Sequence, residues 1–327
     1  MIGVVGAGAW GTALAQMLSS DGREVLLWAL EDGLAEAINT THRNSLFLPS
    51  AKLAPKIRAT GDLAAMASCD VLLMVTPAQH LASVLGKLDR FPRDIVLCSK
   101  GIEQSTGRMM HDVAREAAPA ADIAVLSGPT FAHEVAAGLP AAVTLACSGG
   151  VAQWQRLSPA IARPHFRPYY SDDVAGAEIG GAVKNVLAIA CGVVDGLGLG
   201  QNARSALITR GFAEMMRFGV ALGGQAETLT GLCGLGDLVL TCSSTSSRNF
   251  SLGKALGEGM SAAEALADKR TVAEGAHTAP VLRELAARHQ VSMPITDAVN
   301  ALLEGAAAKD VVQGLLARPL KAEGHQA

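Results

Sequence analysis

The chain opens on a short apolar run, Ile2-Gly3-Val4-Val5, that passes directly into Gly6-Ala7-Gly8-Ala9-Trp10-Gly11. A helical pattern from Thr12 to Ser20 follows, then a second apolar run from Glu24 to Trp28. Strand, GxGxxG, helix and strand in that order constrain the fold more than any other feature. They describe the first βαβ unit of a dinucleotide-binding sheet. Gly6 permits the tight turn, Gly8 lets the backbone approach a pyrophosphate, and Gly11 lets helix and strand pack closely. The free N–H groups at the helix start would face the phosphates. The alternative is a glycine-rich βα turn that holds no ligand.

The end of the second run, Trp28-Ala29-Leu30-Glu31-Asp32, bears on the ribose. An acidic residue there accepts from a free 2′-OH, whereas a basic one would pair with a 2′-phosphate. Glu31 or Asp32 therefore leans toward NAD, although Arg43 downstream is within reach of the same region. Further strand-like runs recur at Val71–Val75, Ile95–Ser99, Ile123–Leu126, Ala142–Ala146 and His165–Tyr170, separated by helical patterns at Gln79–Leu88, Thr106–Ala117 and Phe131–Ala136. This alternation predicts an α/β, Rossmann-like, mostly parallel sheet with helices on both faces. From Val174 onward only helical patterns remain, so an all-α second domain is expected. The boundary falls near Tyr170–Asp173, giving domains 1–172 and 173–327.

The stretch from Val174 to Gly200 is almost uniformly small or aliphatic, yet it carries Glu178, Lys184 and Asp195. A lysine in such a helix is either a snorkelling surface residue or a buried amine with a lowered pKa, suited to proton transfer near neutral pH. Lys100 follows an apolar strand at once and is either a cation at the sheet's crevice or a solvated loop residue. Ser247 is a good N-cap, and Arg248 and Asn249 would occupy the first turn of the helix it starts. Helix dipole, N–H groups and the Arg fork together would suit a phosphate dianion, or they form an ordinary capped helix. Asp237, in Gly234-Leu235-Gly236-Asp237, is open to several readings: a helix cap, a solvated turn, an acceptor for substrate hydroxyls, or a partner for Lys184.

Bulk properties narrow the rest. The 327 residues carry a net charge of −3 with no basic run, which argues against nucleic acid and anionic membrane surfaces. The uncharged run after Asn185 is too short for a membrane span. The six cysteines show no CxxC or metal-ligand spacing, so reduced structural thiols in a cytoplasmic protein and no metal are expected. The N-terminal segment has no basic flank and h-region, so no signal peptide is expected.

Taken together, GAGAWGTALA from residue 6, SKGIE at 99–103, SGPTFAHEVAAG at 127–138, EIGGAVKN at 178–185, DGLGLGQNARSALITRG at 195–211, GLGDLVLTC at 234–242, SSRNFSLG at 246–253 and VAEG at 272–275 resemble the bacterial NAD(P)-dependent glycerol-3-phosphate dehydrogenases. The resemblance implies reversible reduction of dihydroxyacetone phosphate to sn-glycerol 3-phosphate with NADH or NADPH, for phospholipid synthesis. It implies Lys184 as the proton acceptor, and Lys100, Gly128, Thr130, Asp237, Ser247, Arg248 and Asn249 at the substrate. On the cofactor side it implies Ala9, Trp10, Ala132, Val272 and Glu274, with Lys100 and Arg248 also near. Many relatives have Arg or His where Leu30 stands; its loss removes a partner for a 2′-phosphate and leaves NAD against NADP open. A homodimer paired through the helical domains is also expected. Two rivals are a 3-hydroxyacid dehydrogenase of related architecture, with a carboxylate in place of the phosphate, and a nucleotide sensor without turnover.

Overall fold

The apolar runs assemble into a single sheet. The computed structural model describes residues 1–267 and 273–320. In chain order the first half comprises β1 (Ile2–Val5), α1 (Ala9–Leu18), β2 (Val25–Trp28), α2 (Leu34–Thr41), β3 (Ile57–Thr60), β4 (Val71–Met74) and α3 (Leu81–Leu85). It continues with β5 (Asp94–Leu97), α4 (Met110–Ala117), β6 (Asp122–Ser127), α5 (Ala132–Ala136), β7 (Ala141–Cys147), α6 (Gly150–Ile161) and β8 (Phe166–Ser171).

The sheet has eight strands in the order β3-β2-β1-β4-β5-β6-β7-β8. All neighbours are parallel except β6 and β7, which run antiparallel. Strand order reverses at β1, which lies between β2 and β4, so the crevice beyond the carboxyl ends of β1 and β4 is the switch point where such sheets bind ligands.

The sequence reading missed three elements of this half. β3 is a four-residue edge strand whose Arg58 is exposed, too short and too polar to show as an apolar run. In α2 only Leu34 and Ile38 are buried, and α6 carries Pro159 inside it, a residue that reads as a breaker. Two boundaries also move. α1 begins at Ala9, not Thr12, so Gly11 is inside the helix. The stretch before Met110 is a loop rather than a helix: Gly107 has φ +73°, and Glu103 and Arg108 bond backbone to backbone.

The second half is helical among the described residues: α7 (Val174–Gly196), α8 (Gly200–Ala221), α9 (Ala226–Thr230), α10 (Asp237–Thr241), α11 (Arg248–Gly257), α12 (Ala262–Ala265), α13 (Glu274–Arg288), α14 (Pro294–Leu303) and α15 (Ala308–Leu316). Asp173 caps α7 by accepting from Gly176 N at 2.8 Å. α7 has the length and mean hydropathy of a membrane span, contrary to the short-run reading, but its apolar window is wholly buried inside the protein. Its small residues let a neighbour lie against its backbone. A Cβ on Gly253 of α11 would stand 1.9 Å from the Ile189 carbonyl oxygen of α7. This contact lays α11 along α7 and carries the start of α11 toward the middle of α7. The two halves share their cores: Val174, Ala177 and Cys233 pack with the sheet residues, and Ile102 and Met109 with the helical ones.

Candidate active site

Lys184 is 6% exposed, which decides between its two readings. A lysine so deeply buried requires a partner, and Asp237 supplies it. Lys184 Nζ donates to Asp237 Oδ1 at 2.8 Å and to Thr241 Oγ1 at 2.8 Å. Asp237 is itself fully buried and opens α10, directly after a wide π-type turn over Leu232–Gly236. Such turns recur at functional sites because they re-aim the residues that follow. The other carboxylate oxygen, Oδ2, accepts from Lys100 Nζ at 2.7 Å. Lys100 also donates to the Gly128 carbonyl at 3.2 Å, and Thr130 Oγ1 donates to the same oxygen at 3.2 Å.

One buried carboxylate therefore holds two ammonium groups, one from the end of β5 and one from the middle of α7. Burial lowers the Lys184 pKa to about 8; Asp237 opposes the fall, and the Lys100 charge adds to it. An amine poised there exchanges a proton near neutral pH while staying in a water-poor environment.

Ser247 caps α11, its hydroxyl accepting from Phe250 N at 3.2 Å. Arg248 is exposed on the first turn, while Asn249 is buried and its amide is engaged by other protein groups. Asn185, next to Lys184 in sequence, does not bond it. Its amide reaches the Lys100 carbonyl at 3.5 Å and accepts from Asn249 at 2.9 Å. Glu274 opens α13 with Oε2 buried and without a hydrogen-bond partner, near Gly101. Burial pushes its carboxyl up to about 7, against the opposing effects of the Ala78 N–H and the Arg248 charge.

At the switch point, Gly6 has φ +120° and closes the turn with its N–H on the Trp28 carbonyl at 3.1 Å. A Cβ on Gly11 would stand 1.8 Å from the Gly6 oxygen, whereas one on Gly8 would meet nothing within 4 Å. The turn is thus closed on its protein side and open on the side a ligand would approach. α1 has no side-chain cap, so its first N–H groups are available to an anion, and the Trp10 indole nitrogen is buried without a partner. These residues fit a dinucleotide pyrophosphate.

Two family models match the chain, the NAD-dependent glycerol-3-phosphate dehydrogenase N-terminus over residues 1–151 and its C-terminus over residues 173–313. The chain belongs to that family. It is 74% identical over 323 residues to the glycerol-3-phosphate dehydrogenase [NAD(P)+] of Novosphingobium aromaticivorans, covering 98% of each chain. The Erythrobacter litoralis protein of the same name is 70% identical over 322 residues, with 98% of this chain and 97% of that one covered. A crystal structure of glycerol-3-phosphate dehydrogenase from Coxiella burnetii superposes with a TM-score of 0.92 at 40% identity, over 97% of this chain and 98% of that one.

Of the residues the family resemblance points to, Lys184, Lys100, Asp237, Gly128 and Thr130 form one hydrogen-bonded group. Ser247, Arg248 and Asn249 share the start of α11. Ala132 opens α5, and half-buried Glu31 follows Leu30, which is 71% exposed. Val272 lies outside the described residues. Sequence reasoning missed Thr241, although its place four residues after Asp237 on one helix was a usable signal. It also missed Gln79, whose amide donates to the Ile102 carbonyl and accepts from Gln104 N, both at 2.8 Å, fixing the loop after Lys100. His111 and Glu178, 2.6 Å apart, tie α4 to α7.

Proposed function

We propose that this chain is a glycerol-3-phosphate dehydrogenase [NAD(P)+] that reversibly reduces dihydroxyacetone phosphate to sn-glycerol 3-phosphate and supplies phospholipid synthesis. The observation that carries this reading is the buried Lys184–Asp237–Lys100 group facing the crevice of a dinucleotide-binding sheet. Reduction places negative charge on the C2 oxygen, and a protonated Lys184 stabilises that oxygen and gives it the proton. In the reverse direction the neutral amine accepts the alcohol proton. A bound reduced nicotinamide supplies the hydride. Lys100 and Asp237 orient the substrate oxygens, and Asp237 also keeps Lys184 from turning away. Arg248 and the first-turn N–H groups of α11 hold the phosphate, so binding energy remote from the reacting carbon fixes its position. Residues 6–11 and α1 hold the pyrophosphate; Glu31 faces the ribose, and Glu274, Ala132 and Val272 complete the cofactor side.

Exposed Leu30 supports a preference for NADH, because it offers no charge to a 2′-phosphate and is followed by Glu31 and Asp32. A cytoplasmic setting agrees with six free, buried thiols. A homodimer paired through the helical halves completes the reading, and light scattering tests it. The deciding experiment is kcat/KM for dihydroxyacetone phosphate with NADH and NADPH side by side, set against oxidation of 3-hydroxybutyrate and 3-hydroxyisobutyrate. Turnover of the phosphorylated ketone, faster with NADH, is expected. Turnover of the hydroxyacids alone would make the chain a 3-hydroxyacid dehydrogenase.

A further inference from the structure

The Asn249 side chain joins three elements. Its Nδ2 donates to Asn185 Oδ1 on α7 at 2.9 Å, and its Oδ1 accepts from Gly275 N on α13 at 2.9 Å. Asn185 in turn reaches the Lys100 carbonyl at the end of β5. α13 has no side-chain cap of its own, so Asn249, from a different helix, satisfies one of its orphan first-turn N–H groups. Gly275 makes the joint possible: a Cβ there would stand 2.5 Å from the Asn185 backbone carbonyl oxygen and 2.9 Å from Asn249 Oδ1.

The first turn of α13 is held on its other side by the sheet half. Glu274, adjacent to Gly275, places its carboxyl against Gly101 and Ala78, on the loops that follow β5 and β4. An amide carries two N–H donors, and Asn185 uses one, which leaves the second for a ligand at the start of α11.

We propose that Asn249 is a positioning residue whose amide couples the phosphate end of the substrate site to the cofactor face of the crevice. The inference rests on the reading of α11 as the phosphate end. A phosphate on the first turn of α11 fixes Asn249. Asn249 then fixes the start of α13, and with it the segment set against the loops beside the cofactor. Occupancy at either end should tighten the other by the same factor, because such coupling is reciprocal.

NADH and sn-glycerol 3-phosphate are both reduced, so they bind together without turnover and the coupling is measurable at equilibrium. NADH is titrated by nicotinamide fluorescence with and without saturating sn-glycerol 3-phosphate, in the wild type, Asn249→Ala and Gly275→Ala. In the wild type the phosphate ester should lower the NADH Kd by about tenfold, the ordinary scale of such coupling. In both variants that ratio should fall to within about twofold of unity, with Tm recording that they are folded. Gly275→Ala is the sharper test, since it removes no atom that could touch a ligand. Asn249→Ala adds no atoms and keeps the test available if the glycine variant does not fold. A wild-type coupling ratio retained in either folded variant overturns the proposal. So does a wild type that reduces dihydroxyacetone phosphate yet shows no coupling, and that outcome leaves the functional reading standing. Absence of turnover and of sn-glycerol 3-phosphate binding overturns the functional reading and the coupling with it.

Discussion

In the proposed reaction the proton passes through Lys184, and its environment makes a pH prediction with a definite sign. Burial lowers its pKa to about 8. Ketone reduction uses the ammonium, so its rate should be flat below about pH 8 and fall above it; alcohol oxidation uses the free amine and should rise through the same range. Lys184→Met should lower kcat by about 100-fold or more and remove both limbs from the pH profiles. Steady-state rates from pH 6 to 10 check this, and an unchanged profile in the variant would assign the proton to another group. At this scale the sequence singled out Lys184, because a lysine amid Ile179, Val183 and Leu187 is anomalous in any helix, and the structure shows it buried and paired. It left open what Asp237 does. That the carboxylate accepts from both Lys184 and Lys100 depends on α7, α10 and the end of β5 meeting, which no local pattern encodes. Thr241 and Asn249 are harder still. Uncharged side chains reveal their roles only through their partners.

At the scale of elements, the structure borrows helix caps across the chain. α14 has Met293 at its N-cap position and no local side-chain cap. Glu214 of α8, 2% exposed, supplies the acceptors instead, taking Ile295 N at 2.7 Å and Thr296 N at 3.3 Å. Burial raises the Glu214 carboxyl from 4.5 to about 7, while the two N–H donors and Arg217 oppose the rise and Asp297 adds to it. A folded-state pKa above the unfolded value means that the folded protein binds the proton more tightly. Stability from this group is therefore full below about pH 4.5, is lost as the pH climbs toward 7, and is level beyond. Urea unfolding at pH 5 and pH 8 should show the effect. Glu214→Gln, which keeps an acceptor and loses the titration, should shrink the difference between the two pH values by about 2 kcal/mol. An equal difference in the variant would place the pH dependence elsewhere, with Glu274 the next group to test. Remote caps of this kind are invisible to a reading that looks for Ser, Thr, Asp or Asn just before a helix. The same reading succeeded at Ser247 because that cap is local. Strands were legible where both faces are buried and the run is continuously apolar, as in β1, β4 and β5. They were not legible at β3, an edge strand with one wet face.

For the whole molecule, the sequence divides into a sheet half and a helical half, but the packing does not respect that division. Val174, Ala177 and Cys233 complete the core on one face of the sheet, while Ile102 and Met109, from the loop after β5, belong to the helical core. The Lys100–Asp237 and His111–Glu178 pairs cross the same boundary. A chain of this size with two independent cores would be expected to unfold in steps. Here, releasing either half exposes apolar residues of the other, takes Lys100 from Asp237 and leaves Glu178 without His111, and breaking a buried pair costs about 3 to 5 kcal/mol. The halves should therefore unfold together. The chain carries its own reporters for the test: Trp10, Trp28 and Trp154 all lie in the sheet half, whereas most of the helical signal in the far ultraviolet comes from α7, α8, α11, α13 and α14. Tryptophan fluorescence and ellipticity should give superimposable urea transitions. If fluorescence moved first, the sheet would be opening while α7 stayed helical, and the Lys184 amine would not owe its setting to the closed interface. Coincidence would mean that the Lys100–Asp237 link beside Lys184 and the cohesion of the two halves belong to one set of contacts.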